Sequence, residues 1–106
     1  MVGYSYQGTI DQCYAEGEAN SVGNVSGGVG GLIGYNSGIV DESYALGNVI
    51  SDGDVITSAS YSGAGVGGLV GHHYAGTIEQ SYATGNISSF GHVCANFENS
   101  GAGGGG

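Results

Sequence analysis

Three acidic residues, Asp11, Asp41 and Glu79, recur at matching positions in the chain, 30 and then 38 residues apart. If the chain winds so that these positions stack, their carboxylates lie roughly 5 Å apart. Hard divalent cations bind carboxylate oxygens, so such a column is a candidate calcium site. The alternative is a solvated turn face, where each adjacent pair of like charges costs only about 1 kcal/mol in water. Apart from calcium, the residues indicate no cofactor.

Cys13 and Cys94 are the only cysteines. In a stack of parallel strands they would be separated by two or three rungs, roughly 10–15 Å, which exceeds the reach of one disulfide. One interpretation is two small buried thiols. The other is an intersubunit disulfide between Cys13 of one subunit and Cys94 of the next, in a head-to-tail filament.

The other side chains that could take part in catalysis or bind zinc, those of His, Ser and Asp, do not form a recognisable site. His72 and His73 are adjacent, and adjacent residues of a strand point to opposite faces, so they are not placed to share a zinc ion with His92. We interpret them as a variant of a turn predicted at 35–38. Serine, histidine and aspartate are all present, but they are scattered and no nucleophile elbow accompanies them. We therefore predict no catalytic residue and no enzyme activity.

The charge balance excludes two classes of partner. The chain has no Lys or Arg and nine Asp and Glu, which gives a formal charge of −9. Nucleic-acid binding depends chiefly on Lys and Arg contacts to phosphate, and anionic membrane surfaces attract the same residues. No apolar run approaches 18 residues, so we expect no membrane insertion. A cationic partner or a divalent cation remains compatible with this charge.

An internal repeat positions all of these residues. Residues 30–47 read GGLIGYNSGIVDESYALG, residues 67–85 read GGLVGHHYAGTIEQSYATG, and residues 2–17 read VGYSYQGTIDQCYAEG. The phrase at 67–85 is the phrase at 30–47 with one residue added, and the phrase at 2–17 lacks its first three residues. Repetition with a period of tens of residues indicates a repeat architecture.

The repeats predict an all-β fold. Short runs rich in β-branched residues are bounded by Gly, Asn, Asp and Ser, which is typical of strands and tight turns. With a period of 30–38 residues, each repeat can form one coil of a β-solenoid that hydrogen-bonds to the next. We predict a β-solenoid (β-helix) of about three coils over residues 1–100, from repeats at about 2–29, 30–66 and 67–100. Residues 101–106, nearly all glycine, are predicted to be a flexible tail.

Equivalent side chains of the coils are expected to stack. Around Tyr44 the alternation places small residues such as Ser43 and Ala45 on one face and the tyrosine on the other. We predict that the small face is interior and that the tyrosines form an outer ladder. The stacking residues are Tyr14, Tyr44, Tyr82, Ile10, Val40, Ile78, Leu32 and Leu69.

The two longer phrases resemble the GLUG motif, a short repeat of bacterial surface proteins. The resemblance lies in GGL-[IV]-G, a short turn, G-x-[IV] and then SYA-x-GN; the first copy departs from it at Cys13 and Glu18. The family is similar to haemagglutinin-like adhesins. The resemblance implies an extracellular or cell-surface β-solenoid that serves as a stalk or an adhesive segment, and it carries no known catalytic site.

We expect the function to be structural. The first copy resembles an internal coil, and the last segment begins another turn, which fits either a piece of a longer solenoid or a subunit that polymerises. We predict a filament subunit or stalk segment whose partners are copies of itself, stacked head to tail through uncapped coils. The alternative is an adhesin-type module that binds glycans or a host surface through the outer tyrosine ladder.

Overall fold

The computed structural model describes residues 1–24, 27–57, 63–95 and 101–105. All the regular structure in these ranges is β-strand, so the protein is all-β. Within the same ranges, no helix is long and apolar enough to cross a membrane.

The strands follow the sequence repeats. Repeat 1 contains β1 (Val2–Asp11), β2 (Tyr14–Ala15), β3 (Ala19–Val22) and β4 (Gly28–Gly30). Repeat 2 contains β5 (Ile33–Asp41), β6 (Tyr44–Ala45), β7 (Val49–Asp52), β8 (Val55–Thr57) and β9 (Gly63–Gly67). Repeat 3 contains β10 (Val70–Glu79), β11 (Tyr82–Ala83), β12 (Ile87–Ser89), β13 (Val93–Ala95) and β14 (Gly101–Gly105).

These strands form five small parallel sheets. Within a sheet, each strand comes from a different repeat. The sheet orders are β1-β5-β10, β11-β6-β2, β12-β7-β3, β14-β9-β4 and the two-stranded β13-β8. Repeat 2 lies in the middle of every three-stranded sheet. A parallel pair needs a long connection, and here the rest of one repeat supplies it. The sequence period and the sheet register therefore coincide.

Two details of the strands differ from the sequence prediction. The turn expected at 35–38 lies inside β5, and the register with its neighbours shifts there instead of breaking, between Tyr6 and Thr9 and between His73 and Ala75. The strand continues because a bulge absorbs the extra residue of the neighbouring repeat without ending the pairing.

The segment predicted to be a flexible tail is also a strand over Gly101–Gly105, paired with Gly63–Gly67 of β9. Glycine has the same backbone hydrogen-bond donor and acceptor as most other residues. A glycine segment can therefore pair with β9 although glycine has no side chain to pack. The sequence contained the signal, because Ser100-Gly101-Ala102-Gly103 repeats the sequence Ser62-Gly63-Ala64-Gly65. Residue 106 lies outside the described residues.

The interior is thin and consists of small aliphatic clusters. The first contains Ile10, Leu32, Ile33, Val40 and Ala45. The second contains Ala19, Val49, Val55, Ala64 and Val66. Fully burying one such aliphatic side chain contributes about 1.5–3 kcal/mol, and repeat 2 supplies most of those that are fully buried.

Stacked glycines allow consecutive repeats to approach closely, both within the strands and at the bends between them. A Cβ on Gly38 would overlap the carbonyl oxygen of Gly8, and a Cβ on Gly47 would overlap that of Gly17. No side chain fits at these two positions of repeat 2, so glycine is required there by the repeat that precedes it.

Candidate functional site

The acidic column is aligned as a column of the β1-β5-β10 sheet. Asp11 pairs with Asp41, and Asp41 pairs with Glu79. The Asp41 carboxylate also accepts the backbone N–H of Glu42 at 2.9 Å, so it stabilises the turn that follows the strand. In the part of the chain that the structure describes, no three His, Cys, Asp or Glu side chains converge to hold a metal ion. Calcium binding by this column therefore stays a prediction.

The turn after the acidic column has the same unusual backbone in all three repeats. Gln12, Glu42 and Gln80 have φ angles of 50°, 44° and 45°, in the left-handed region that residues with side chains rarely adopt. The Gln12 amide nitrogen donates to the Glu42 carboxylate at 2.9 Å, which links the first two turns.

Cys13, Ser43 and Ser81 form the next column. Their side chains donate to the carbonyl oxygen of the acidic residue two positions earlier, at 3.2, 2.7 and 2.6 Å. Across the repeats, the Cys13 N–H donates to Ser43 Oγ and the Ser43 N–H donates to Ser81 Oγ, both at 3.1 Å. No acceptor for the Ser81 N–H lies among the described residues, since repeat 3 is at the outer edge of the stack.

This column bears on the two interpretations of the cysteines. Cys94 pairs with Ile56 in the β13-β8 sheet, whereas Cys13 shares its column with Ser43 and Ser81. Copies stacked in the register of the repeats would place Cys13 against Ser81, so the predicted Cys13–Cys94 disulfide would require a different register. Both thiols are free within the chain, and Cys13 is exposed, so it is not a buried thiol. The intersubunit disulfide stays a prediction.

The tyrosines of the repeated SYA and CYA segments are stacked. The ring centroids of Tyr14 and Tyr44 are 5.3 Å apart with planes 12° from parallel, and those of Tyr44 and Tyr82 are 5.2 Å apart at 8°. Tyr14 and Tyr82 are more than half exposed, while the neighbouring Ser43 and Ala45 are buried. We call Tyr14, Tyr44 and Tyr82 the outer ladder; a neighbouring ring covers each face of Tyr44.

A second group of stacked rings was not predicted. Tyr4 and Tyr35 lie 4.7 Å apart at 8°, Tyr74 stacks on Tyr35 at 6.4 Å, and His72 meets Tyr35 edge-on at 5.1 Å. Burial, followed by the charge of neighbouring tyrosines, raises the pKa of Tyr35. The signal was the tyrosine at the third position of both β1 and β5, but in repeat 3 a histidine occupies this position, so the pattern is not visible in all three repeats.

The three histidines are in different environments. His72 is packed against Gly63, and burial, followed by the charge of His73, lowers its pKa. His73 shares a hydrogen bond of 3.0 Å with the buried Asn36 side chain. His92 is exposed and donates its backbone N–H to the Asp54 carboxylate at 2.9 Å, which lowers the pKa of Asp54. His72 and His73 lie in β10, not in a turn, and occupy the register positions of Tyr35 and Asn36.

The aliphatic stacking residues differ strongly in exposure. Ile10, Val40 and Ile78 form one column, with exposed fractions of 9%, 0% and 40%. Leu32 is buried and donates its N–H to the Leu69 carbonyl at 3.0 Å, but Leu69 itself is half-buried. The column therefore ends in an open apolar surface on repeat 3.

Both ends of the stack carry a hollow. The one on repeat 3 has a volume of about 390 Å³ and is lined chiefly by Leu69, Val70, His73, Ile78, Tyr82 and Ala83. The one on repeat 1 has a volume of about 550 Å³, and its lining includes Val2, Ala19, Val29 and Glu18. We call these the repeat 3 end and the repeat 1 end.

Comparison with known proteins bears on the segment that forms the repeat 3 end. The family model for the GLUG motif matches residues 62–88. The chain therefore contains a GLUG motif in this segment. Searches of curated proteins and of solved structures gave no match. The GLUG segment includes β10 and β11 and so carries Ile78, Ser81 and Tyr82. Because β10 pairs in register with β5, the equivalent residues of repeat 2, Val40, Ser43 and Tyr44, lie in the same three columns.

Proposed function

We propose that this GLUG-motif chain is an extracellular structural protein. In this proposal the three repeats are coils of a β-solenoid, and copies stack end to end into a filament or stalk. The observation that carries the proposal is the uneven burial of one column. Ile78 is 40% exposed, although Val40 at the same position of the preceding repeat is fully buried. A further coil placed on repeat 3 would bury Ile78 as repeat 3 buries Val40.

The repeat 3 end has the two features that favour association. It presents apolar side chains, Leu69, Val70 and Ile78, around a hollow, and it is bordered by the outer edges of parallel strands. Unpaired strand edges next to apolar surface are templates for pairing with another chain. A second copy meets both needs at once, because its repeat 1 brings strands and aliphatic side chains of the same spacing.

The repeat register defines how the copies would join. Repeat 3 of one copy would lie against repeat 1 of the next, with Ile78 on Ile10 and Tyr82 on Tyr14. These contacts reproduce those that already exist inside the chain between consecutive repeats. The free Ser81 N–H would meet Cys13 Sγ, which takes the place that a serine oxygen holds inside the chain.

Electrostatic repulsion between the copies opposes this end-to-end contact. Glu79 would face Asp11, and each copy carries a formal charge of −9. The same like-charge column is tolerated within the chain, where Asp41 lies between the other two carboxylates. Salt screens such repulsion, with a Debye length of about 8 Å at physiological ionic strength, so assembly should be faster with added salt. A divalent cation would act in the same direction, and this is the role we assign to calcium.

The location outside the cell and the absence of catalysis belong to the same proposal. The GLUG resemblance is to bacterial surface proteins, and a chain without Lys or Arg offers no bond to trypsin-like proteases. Its negative charge is unsuited to binding nucleic acid.

The alternative, glycan binding by the outer ladder, receives less support. A sugar ring stacks on the face of an aromatic ring, and both faces of Tyr44 are covered. A ring inserted between two tyrosines needs a gap of roughly 7 Å, twice the van der Waals spacing, whereas the centroids are 5.2 and 5.3 Å apart. Ring edges remain for a glycan or host surface to contact. Saturable glycan binding that Tyr44→Ala abolishes would favour this alternative.

Sedimentation and electron microscopy at rising protein concentration, with and without calcium, test the proposal. We expect filaments with a spacing of about 4.8 Å between strands along the axis. Ile78→Asp, which places a charge on the repeat 3 end, should prevent them. The matched control is Ile39→Asp, since Ile39 is also exposed but lies one position before the Val40 column. A chain that stays monomeric under all these conditions, or equal effects of the two substitutions, would contradict the proposal.

A further inference from the structure

The stacked tyrosines form pairs whose geometry suits a covalent modification. We propose that the outer ladder is a site of oxidative tyrosine coupling, in which Tyr44 is joined to Tyr14 or to Tyr82 by a carbon–carbon bond. Such a bond would link consecutive repeats within one chain. It does not depend on the end-to-end stacking of copies, because all three rings belong to the same molecule.

The arrangement of the rings supports this inference. Each neighbouring pair has centroids 5.2 or 5.3 Å apart and planes within 12° of parallel. In two stacked rings of the same orientation, the carbon next to the hydroxyl-bearing carbon of one ring lies opposite its counterpart in the other. The two end rings are more than half exposed, so an oxidant in solution reaches the ladder and a ring has room to tilt toward its neighbour.

Among the aromatic side chains, the composition favours oxidation of tyrosine. The chain has eight tyrosines, no tryptophan and one methionine. With no indole to compete for the loss of an electron, the phenols are the main aromatic sites of oxidation. Stacking then determines which phenols couple, since radicals on rings that do not touch have no partner within reach.

The chemical step balances with a peroxide as the oxidant. Each phenol loses one electron and its hydroxyl proton, which gives a phenoxyl radical with spin density on the ring carbons beside the oxygen. Two radicals then form a bond between these carbons, and the two ring hydrogens move to the oxygens as the rings regain aromaticity. The pair loses two electrons and two protons in total. Hydrogen peroxide accepts them through a haem peroxidase and leaves two molecules of water.

The pair Tyr4 and Tyr35 supplies an internal comparison. Its centroids are 4.7 Å apart with planes at 8°, so it meets the same geometric condition. Tyr35, however, is more buried than the exposed rings of the outer ladder. We expect Tyr4 to couple with Tyr35 as well. Two separate pairs in one chain allow each to serve as the folding control for the other.

The experiment treats the dilute monomeric chain with a haem peroxidase and hydrogen peroxide, then reduces any disulfide. A protease that cleaves after Asp and Glu separates the tyrosines of the proposed links, because acidic residues lie between Tyr14, Tyr44 and Tyr82 and between Tyr4 and Tyr35. The Tyr14, Tyr44 and Tyr82 peptides are then residues 12–16, 43–52 and 80–98. We expect an intact chain that has lost two hydrogen atoms per link, and linked peptides that join 43–52 to 12–16 or to 80–98.

Two variants decide the outcome. Tyr44→Phe should abolish both links to 43–52 and leave the link between Tyr4 and Tyr35, which shows that the chain is still folded. Tyr35→Phe should give the reverse result. The proposal is overturned if the folded chain yields no Tyr44 link, if links join tyrosine peptides without regard to stacking, or if coupling occurs only between chains.

Discussion

Repeats 2 and 3 have closely similar sequences but different interiors. Leu32 and Val40 of repeat 2 are buried, whereas Leu69 and Ile78 occupy the same columns of repeat 3 and are partly exposed. Leu32 and Leu69 are the same residue, and Val40 and Ile78 are both β-branched aliphatic residues that differ by one methylene group. The difference comes from their neighbours, because repeat 2 has a repeat on each side and repeat 3 has one.

This comparison shows that a single repeat does not make its own core. Each repeat contributes a layer of small aliphatic residues about one strand thick, and the next layer covers it. Stability should therefore follow nearest-neighbour contacts, as in other repeat proteins. The same substitution should therefore lower the free energy of unfolding more in repeat 2 than in a repeat at an end of the stack.

The largest expected difference is at the stacked glycines. Gly38→Ala places a Cβ on the Gly8 carbonyl oxygen, while Gly8→Ala meets the Ser5 hydroxyl at 3.5 Å and the Tyr6 carbonyl oxygen at 4.0 Å, both ordinary contacts. We expect Gly38→Ala to lower the free energy of unfolding by about 3 kcal/mol and Gly8→Ala to change it little. Urea unfolding measures both. Equal losses would mean that the close approach of repeats 1 and 2 is absent in solution.

An intermediate difference is expected for the aliphatic column. Val40→Ala removes two methyl groups from a fully buried site and should cost about 2–3 kcal/mol. Ile78→Ala removes more atoms but from a partly exposed site, so we expect a loss of about 1 kcal/mol in the monomer. Thermal or urea unfolding at low concentration checks this. A larger loss for Ile78→Ala would show that the repeat 3 end is covered in the monomer.

The smallest effect concerns the position held by Tyr35 in repeat 2 and by His72 in repeat 3. Burial lowers the pKa of His72 from its ordinary value of 6.5, so folding favours the neutral imidazole. The stability that His72 contributes is fully present above its ordinary pKa and is lost as the pH falls through its lowered pKa in the folded state. We expect unfolding free energy to decrease below about pH 6.5 and His72→Gln to reduce that decrease. His92→Gln, at an exposed histidine, is the control, and an equal effect from it would refute the assignment.

Much of the architecture could be predicted from the sequence because the repeat has clear anchors. Tyr14, Tyr44 and Tyr82 recur with their flanking small residues, and the period fixes which residues align. The acidic column followed from the same spacing. Alignment of the three carboxylates does not establish a metal site, since metal binding depends on whether they converge, and the Asp41 carboxylate accepts the N–H of Glu42 in its own turn.

The remaining features depend on contacts that no single repeat encodes. Ile78 and Val40 cannot be distinguished by type, and only their position in the stack makes one exposed. Gly101–Gly105 looks structureless by composition, yet β9 provides an edge for it to pair with. The separation of Cys13 from Cys94 follows from the five-sheet layout, which the order of residues along the chain does not reveal.

Site-resolved amide hydrogen exchange at Ser43 and Ser81 tests the central claim most directly. The Ser43 N–H donates to Ser81 Oγ, whereas the equivalent Ser81 N–H has no acceptor among the described residues. We predict slow exchange at Ser43 and fast exchange at Ser81 in the monomer, with Ser81 becoming as slow as Ser43 when copies assemble. Fast exchange at Ser81 in assembled material would show that the copies do not continue the stack, and slow exchange there in the monomer would show that repeat 3 is already covered.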